Sequence, residues 1–169
     1  MSRNIFCVGF LTFFIFACSE NDPASLNLSV GEDFLEENLR NADVTEREKG
    51  LQYTVLESST NSTEKPTLDN VITADFHGTL IDGSVFWSSV ESGTPLVINL
   101  SQLIPGCRKA IALMSVGEKW RVFIHPDLAY GEEGRPPGIP SNSTLIFDIK
   151  LHDITVSYTH LTLPTKASV

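Results

Sequence analysis

The chain has 169 residues, of which 41% are hydrophobic and 20% charged, and its formal charge is −9. That acidity argues against a nucleic-acid partner, because neutralising backbone phosphates takes a surplus of Lys and Arg. The three cysteines, Cys7, Cys18 and Cys107, lack the paired spacing of a zinc site or a disulfide framework.

In chain order, residues 1–17 read as an export signal. Arg3 is the lone charge before an apolar run at 5–16 that is too short to span a bilayer comfortably. Ala17-Cys18 then fits a lipoprotein signal, with acylation of Cys18 as the expected lipidation and attachment to a membrane as its consequence. Cleavage without a lipid, or an uncleaved anchor, are the alternatives. Residues 18–49 are expected to form a tether. Residues 19–30 are small and polar, and a short helix follows at 33–40 with Phe34, Leu35 and Leu39 on one side.

Residues 50–155 carry the pattern of one domain. A strand is expected at 51–56. In 71–77, Ile72, Ala74 and Phe76 alternate with polar residues, as in a half-buried strand. Asp82-Gly83 marks a hairpin turn, because that pair tolerates positive φ. Alternation recurs at Leu96, Ile98 and Leu100, at Trp120, Val122 and Ile124, and at Leu145, Phe147, Ile149 and Leu151. One short helix fits, at 108–114, with Ala110, Ile111, Leu113 and Met114 apolar and Gly117 near its end. One helix covering one face of an antiparallel sheet gives an α+β fold. Residues 156–169 form a tail. Its stretch 157–165 looks like translated sequencing-adapter read-through, and a genuine, poorly structured tail is the other reading.

Several segments stand together in an informative order. Val85-Phe86 follows the Asp82-Gly83 turn, and Leu103-Ile104-Pro105-Gly106 precedes the helix. Leu128-Ala129-Tyr130-Gly131 opens a Gly/Pro-rich loop, Ile139-Pro140 follows, and Leu145-Ile146-Phe147-Asp148-Ile149 closes the set. This order resembles FKBP-type peptidyl-prolyl cis–trans isomerases, most closely the macrophage infectivity potentiator branch of bacterial envelope lipoproteins. The resemblance covers roughly residues 50–154. It implies a twisted antiparallel sheet curled around one short helix, and prolyl isomerisation without cofactor or metal, on proline-containing peptides and exported client proteins at the cell envelope. A longer helical arm makes dimers in that branch. The region here is too short for one, so a monomer is expected.

By the same resemblance, Phe86, Tyr130 and Phe147 wall the prolyl ring. The Ile104 N–H and the Tyr130 hydroxyl donate to substrate carbonyls. Phe76, Leu96, Leu103 and Ile139 complete the substrate-binding positions. Phe76, Leu96 and Phe147 also alternate inward as plain core residues do. Tyr130 stands in a loop, where no strand or helix period calls for an aromatic. Two further pocket positions depart from the family: Trp87 stands where an aspartate is usual, and Cys107 where a tryptophan commonly floors the pocket. A smaller floor loses dispersion contact with the ring, which implies reduced turnover.

Other chemistry has little support. His77, His125, His152 and His160 show no ligand spacing, and His125-Pro126-Asp127 reads as a structural loop entry. Gly83-Ser84 lacks the nucleophile-elbow pattern. Cys107 would need a base beside it, and the helix pattern turns Arg108 and Lys109 outward. The second functional reading is a chaperone or protein-binding module that keeps the fold and has weak catalysis.

Overall fold

The computed structural model describes residues 22–60 and 62–156. The proposed signal, Cys18 and the tail at 157–169 lie outside the described residues. The chain runs α1 (Pro23–Asn38), β1 (Thr45–Glu48), β2 (Leu51–Glu57), β3 (Asn70–Leu80), β4 (Val85–Ser88), α2 (Ser89–Ser92), β5 (Leu96–Asn99), α3 (Pro105–Ile111), β6 (Lys119–Ile124) and β7 (Leu145–Val156). The strands form one antiparallel sheet in the order β1-β2-β6-β7-β3-β4, with β5 also paired to β3. The β3–β7 ladder runs from Asn70↔Val156 to Leu80↔Leu145 and forms its spine.

The expected hairpin is present. Leu80 N–H donates to the Ser84 carbonyl at 2.9 Å, Gly83 takes φ +85°, and the Asp82 carboxylate accepts from the Ser84 N–H at 2.8 Å. α3 lies across the inner face, where Ala110, Ile111, Leu51, Ile72, Trp120, Val122, Ile124 and Ile149 form the buried core. It comes very close to β6: a Cβ added at Gly106 would lie 2.4 Å from a methyl of Ile124. The glycine beside Pro105 is thus required by a close approach of helix to sheet. α3 begins at Pro105, three residues before the expected start, because Pro at the first helical position needs no N–H partner and has its φ preset.

Alternation predicted one solvated face, and the structure departs from that. Phe123 and Gln52, which pair across β6 and β2, point outward yet are buried. α1 covers them. Phe34 packs on Phe123 with ring centroids 6.0 Å apart. Gln52 Nε2 donates to the Leu35 carbonyl at 2.9 Å, and Asn38 Nδ2 donates to Gln52 Oε1 at 2.9 Å. The sheet therefore carries a helix on each face. The tether expected at 18–49 is corrected accordingly: residues 23–30 are helical, and the helix ends at Asn38 rather than Arg40. Asp22 caps its first turn and Pro23 sits just inside it. The domain also begins before residue 50, since β1 pairs with β2.

α1 reaches the segment that leads into β7. Asn27 Nδ2 donates to the Ser141 carbonyl at 3.0 Å, and Asn142 Nδ2 donates to the Ala24 carbonyl at 3.2 Å. Gly31 lets the helix approach Thr144, whose hydroxyl a Cβ at that position would meet at 2.4 Å. The Asn142 N–H donates in turn to the Gly131 carbonyl at 2.9 Å, next to Tyr130. The amino-terminal helix is thus linked through Asn142 to the loop that carries the expected pocket tyrosine.

Candidate functional site: an apolar cavity under the Tyr130 loop

A cavity of about 630 Å³ opens between β3, β4, β5, the entry to α3 and the loop 130–140. Each element has a reason to deliver its side chains there. On β3 and β7, alternation turns Phe76 and Phe147 to the inner face, where they are 2% and 6% exposed. Gly78 presents bare backbone beneath Phe86 and Phe147, which a Cβ would meet at 2.6 and 2.9 Å. The rings can therefore close edge to face: Phe86–Phe147 at 5.4 Å and Phe76–Phe147 at 6.3 Å, both at 86°. Leu96 comes from β5, Leu103 and Ile104 from the entry to α3, and Ile139 from the loop.

All ten pocket positions expected from the sequence line this cavity. Trp87 stands on its wall, 43% exposed, with its ring 6.1 Å from that of Phe76. An indole folded onto the floor would be buried, so Trp87 does not take the floor position. Cys107 lines the cavity from α3 and is 2% exposed. Burial pushes its thiol well above the usual range, because desolvation disfavours the thiolate. Lys109 points away to pair with Glu48, and Arg108 reaches the Ser101 carbonyl at 3.2 Å. The thiol therefore has neither the charge state nor the base of a nucleophile.

Two residues with donor groups, Ile104 and Tyr130, line the cavity. The Ile104 backbone N–H meets no acceptor among the described residues. The Tyr130 hydroxyl accepts from an Arg135 guanidinium N–H at 3.4 Å and keeps its own proton to donate. Sequence reasoning missed Arg135, Gln102, Ile98 and the Pro136-Pro137-Gly138 stretch as lining residues. Ile98 was legible, since it shares the alternation of Leu96. Arg135 was not, because nothing in its local pattern aims a loop cation at the pocket.

The described histidines stand outside this cavity. His125 Nδ1 accepts from the Asp127 N–H at 3.3 Å and caps a short turn, a structural role as expected. His152 meets Asp75 at 2.7 Å, and Ser89 donates to the other oxygen of Asp75 at 3.2 Å. The carboxylate thus separates serine from imidazole, which leaves the hydroxyl without the base that nucleophilic attack requires. Among the described residues no cluster of three or more His, Cys, Asp or Glu converges as metal ligands.

An aromatic cup of this size, with one amide and one phenol as donors, is fitted to grip a compact apolar ring and the carbonyls beside it. That is the class of a noncovalent peptide-binding site suited to proline. The FKBP-type peptidyl-prolyl cis-trans isomerase family model matches residues 62–152, more than half of the chain, and the chain belongs to that family. A second model, the domain amino terminal to FKBP-type peptidyl-prolyl isomerase, matches residues 17–55 and so takes in α1.

Over 136 residues the chain is 39% identical to the Outer membrane protein MIP of Legionella longbeachae, covering 80% of this chain and 57% of that protein. It is 40% identical to the FKBP-type peptidyl-prolyl cis-trans isomerase FkpA of Aeromonas hydrophila over 125 residues, 74% of this chain and 46% of that one. Among solved structures, the crystal structure of FkpA from Escherichia coli superposes with a TM-score of 0.74 at 36% identity, over 79% of this chain and 61% of that one. The chain spans about half the length of the curated relatives it matches.

Proposed function

We propose that the protein is a peptidyl-prolyl cis–trans isomerase that assists folding of exported proteins at the bacterial cell envelope. The observation that carries this reading is the cavity itself: edge-to-face aromatic walls beside a free Ile104 N–H and the Tyr130 hydroxyl. Rotation about an X–Pro bond meets a barrier of about 18–20 kcal/mol because twisting breaks amide resonance. The planar amide has more charge separation than the twisted one, so an apolar enclosure disfavours the ground state relative to the twisted state. Phe86, Phe76 and Phe147 provide that enclosure. The two donors hold the flanking carbonyls in a turned geometry. No bond is made to the protein, and no cofactor is called for.

A protease-coupled peptide assay tests this. Uncatalysed isomerisation takes roughly tens to hundreds of seconds, and micromolar protein should shorten it measurably. Tyr130→Phe removes one donor and leaves the ring, so kcat/KM should drop about threefold to tenfold. Absence of acceleration by the wild-type chain would rule out the isomerase. Suppression of client aggregation that survives Tyr130→Phe would favour the second reading, a binding module of weak catalysis. The half-exposed Trp87 and the small floor at Cys107 motivate that alternative.

The leader and the relatives support a location at the cell envelope. Residues 1–17 have the form of a lipoprotein signal, and one relative is named an outer membrane protein. We place the mature protein facing the periplasm, held to a membrane by a lipid on Cys18. Cys18→Ser should release it into the soluble fraction or block its processing. Unchanged membrane association with an uncleaved amino terminus would make residues 5–17 the anchor instead.

A further inference from the structure

We infer that Arg135 forms a subsite for an acidic side chain next to the target proline, so that the pocket prefers proline flanked by Glu or Asp. The inference deepens the isomerase reading and rests on it. Among the residues lining the cavity, Arg135 is the one that carries a charge. The rest of the wall is aromatic, aliphatic, prolyl or neutral. The chain as a whole is acidic, yet no carboxylate comes within ion-pair distance of Arg135 among the described residues. Glu132 and Glu133 lie on the same loop, and neither pairs with it. A guanidinium carries five N–H donors. One is spent on Tyr130 Oη at 3.4 Å, with the guanidinium carbon 5.8 Å from the phenol ring centre. The others stay available at the cavity mouth.

The backbone holds this cation in place. The Arg135 N–H donates to the Ile139 carbonyl at 2.7 Å, and the Ile139 N–H returns to the Arg135 carbonyl at 3.0 Å. Arg135 and the buried Ile139 are therefore fixed to each other, and both line the site. If the Tyr130 hydroxyl holds a carbonyl flanking proline, the guanidinium stands one hydrogen bond further along. A Glu or Asp side chain on that flanking residue then reaches it. A planar fork suits a carboxylate better than a lysine ammonium would.

The test is a matched set of peptides with Glu or Gln immediately before proline, and Glu or Gln immediately after it. Each is assayed with wild type, Arg135→Gln and Arg135→Lys in low salt. Exposed pairs are weak, so the expected preference in kcat/KM for Glu over Gln is about threefold at one of the two positions. It should disappear in Arg135→Gln, survive in part in Arg135→Lys, and shrink with added salt. Equal kcat/KM for Glu and Gln peptides at both positions would overturn the subsite, as would a preference that persists in Arg135→Gln. Titration of tryptophan fluorescence with the same peptides separates the two readings. Binding that favours Glu without any turnover would refute the isomerase and keep the subsite. Binding that is blind to the charge would refute the subsite whatever the turnover.

Discussion

Gly134→Ala is expected to lower kcat/KM by roughly tenfold to a hundredfold while leaving the sheet folded. Gly134 takes φ +62° and ψ −156°, a region reached almost only by glycine, and forcing another residue there costs about 1–3 kcal/mol. Space is also lacking: a Cβ would lie 2.5 Å from the Ile139 carbonyl oxygen and 2.7 Å from the Pro140 carbonyl. These are backbone atoms and cannot rotate away. Relief requires the loop to open, and the loop is where the site is assembled. Gly134 N–H points at the Tyr130 and Gly131 carbonyls at 3.2 and 3.3 Å, and Arg135 is bridged to Ile139. Opening the loop therefore displaces the phenol, the guanidinium and the isoleucine together. At 1.36 kcal/mol per tenfold, strain of that size alone spans the expected range. Peptide turnover measured beside thermal unfolding checks it. A wild-type kcat/KM in Gly134→Ala would mean that the loop does not form the site. An unfolding midpoint lowered as far as by a buried core truncation would mean that loop and sheet unfold as one unit.

What the sequence made legible follows from which physical rule governed each segment. Alternation located β3, β5, β6 and β7 because their inner faces join the core that α3 covers, and burial with period two leaves a pattern that can be read. The same rule failed at Gln52 and Phe123, because a second helix covers the outer face there. That helix was hard to see. Leu35 and Gly31 are its buried residues, while Leu26 and Val30 face solvent, so its apolar pattern points to no single side. The Asp22-Pro23 start is a recognisable helix signal, set in a stretch whose composition is that of a polar tether. The one-turn α2 has a similar signature: Ser88 accepts from the Glu91 N–H at 3.2 Å and Gly93 closes the turn at φ +70°.

The site divides in the same manner. Phe86, Tyr130 and Phe147 were found through the order of the segments that resemble the family, and their convergence on one cavity needs the fold to be seen. Arg135 could not be found, because its place follows from Gly134 and the bridge to Ile139 rather than from any spacing. The direction of the Trp87 indole was likewise open in the sequence, since adjacency to Phe86 does not fix a rotamer. Its position on the wall, half-exposed, decides between two expectations for the floor.

Cys107→Trp is expected to raise kcat/KM about tenfold with little loss of stability. Had the Trp87 ring folded down to replace a missing floor, an added indole at 107 would overpack, at a cost of about 1–3 kcal/mol. Instead Trp87 is 43% exposed and lies 6.1 Å from Phe76, so the space above Cys107 is part of a cavity of about 630 Å³. A tryptophan at 107 grows into that space and meets the prolyl ring. Each pair of carbon atoms in contact contributes about 0.1–0.2 kcal/mol. About ten new pairs amount to about 1–2 kcal/mol, or roughly tenfold in kcat/KM. Trp87→Asp restores the carboxylate usual in the family and removes an apolar wall from the same cavity. Its effect should therefore depend on what stands at 107, and the two changes should not add. The double-mutant cycle is read in turnover and in unfolding midpoint together. A gain in turnover from Cys107→Trp, made larger or smaller by Trp87→Asp, places both residues against the bound ring. A drop in stability from Cys107→Trp that Trp87→Asp rescues would show instead that the Trp87 indole already occupies the floor.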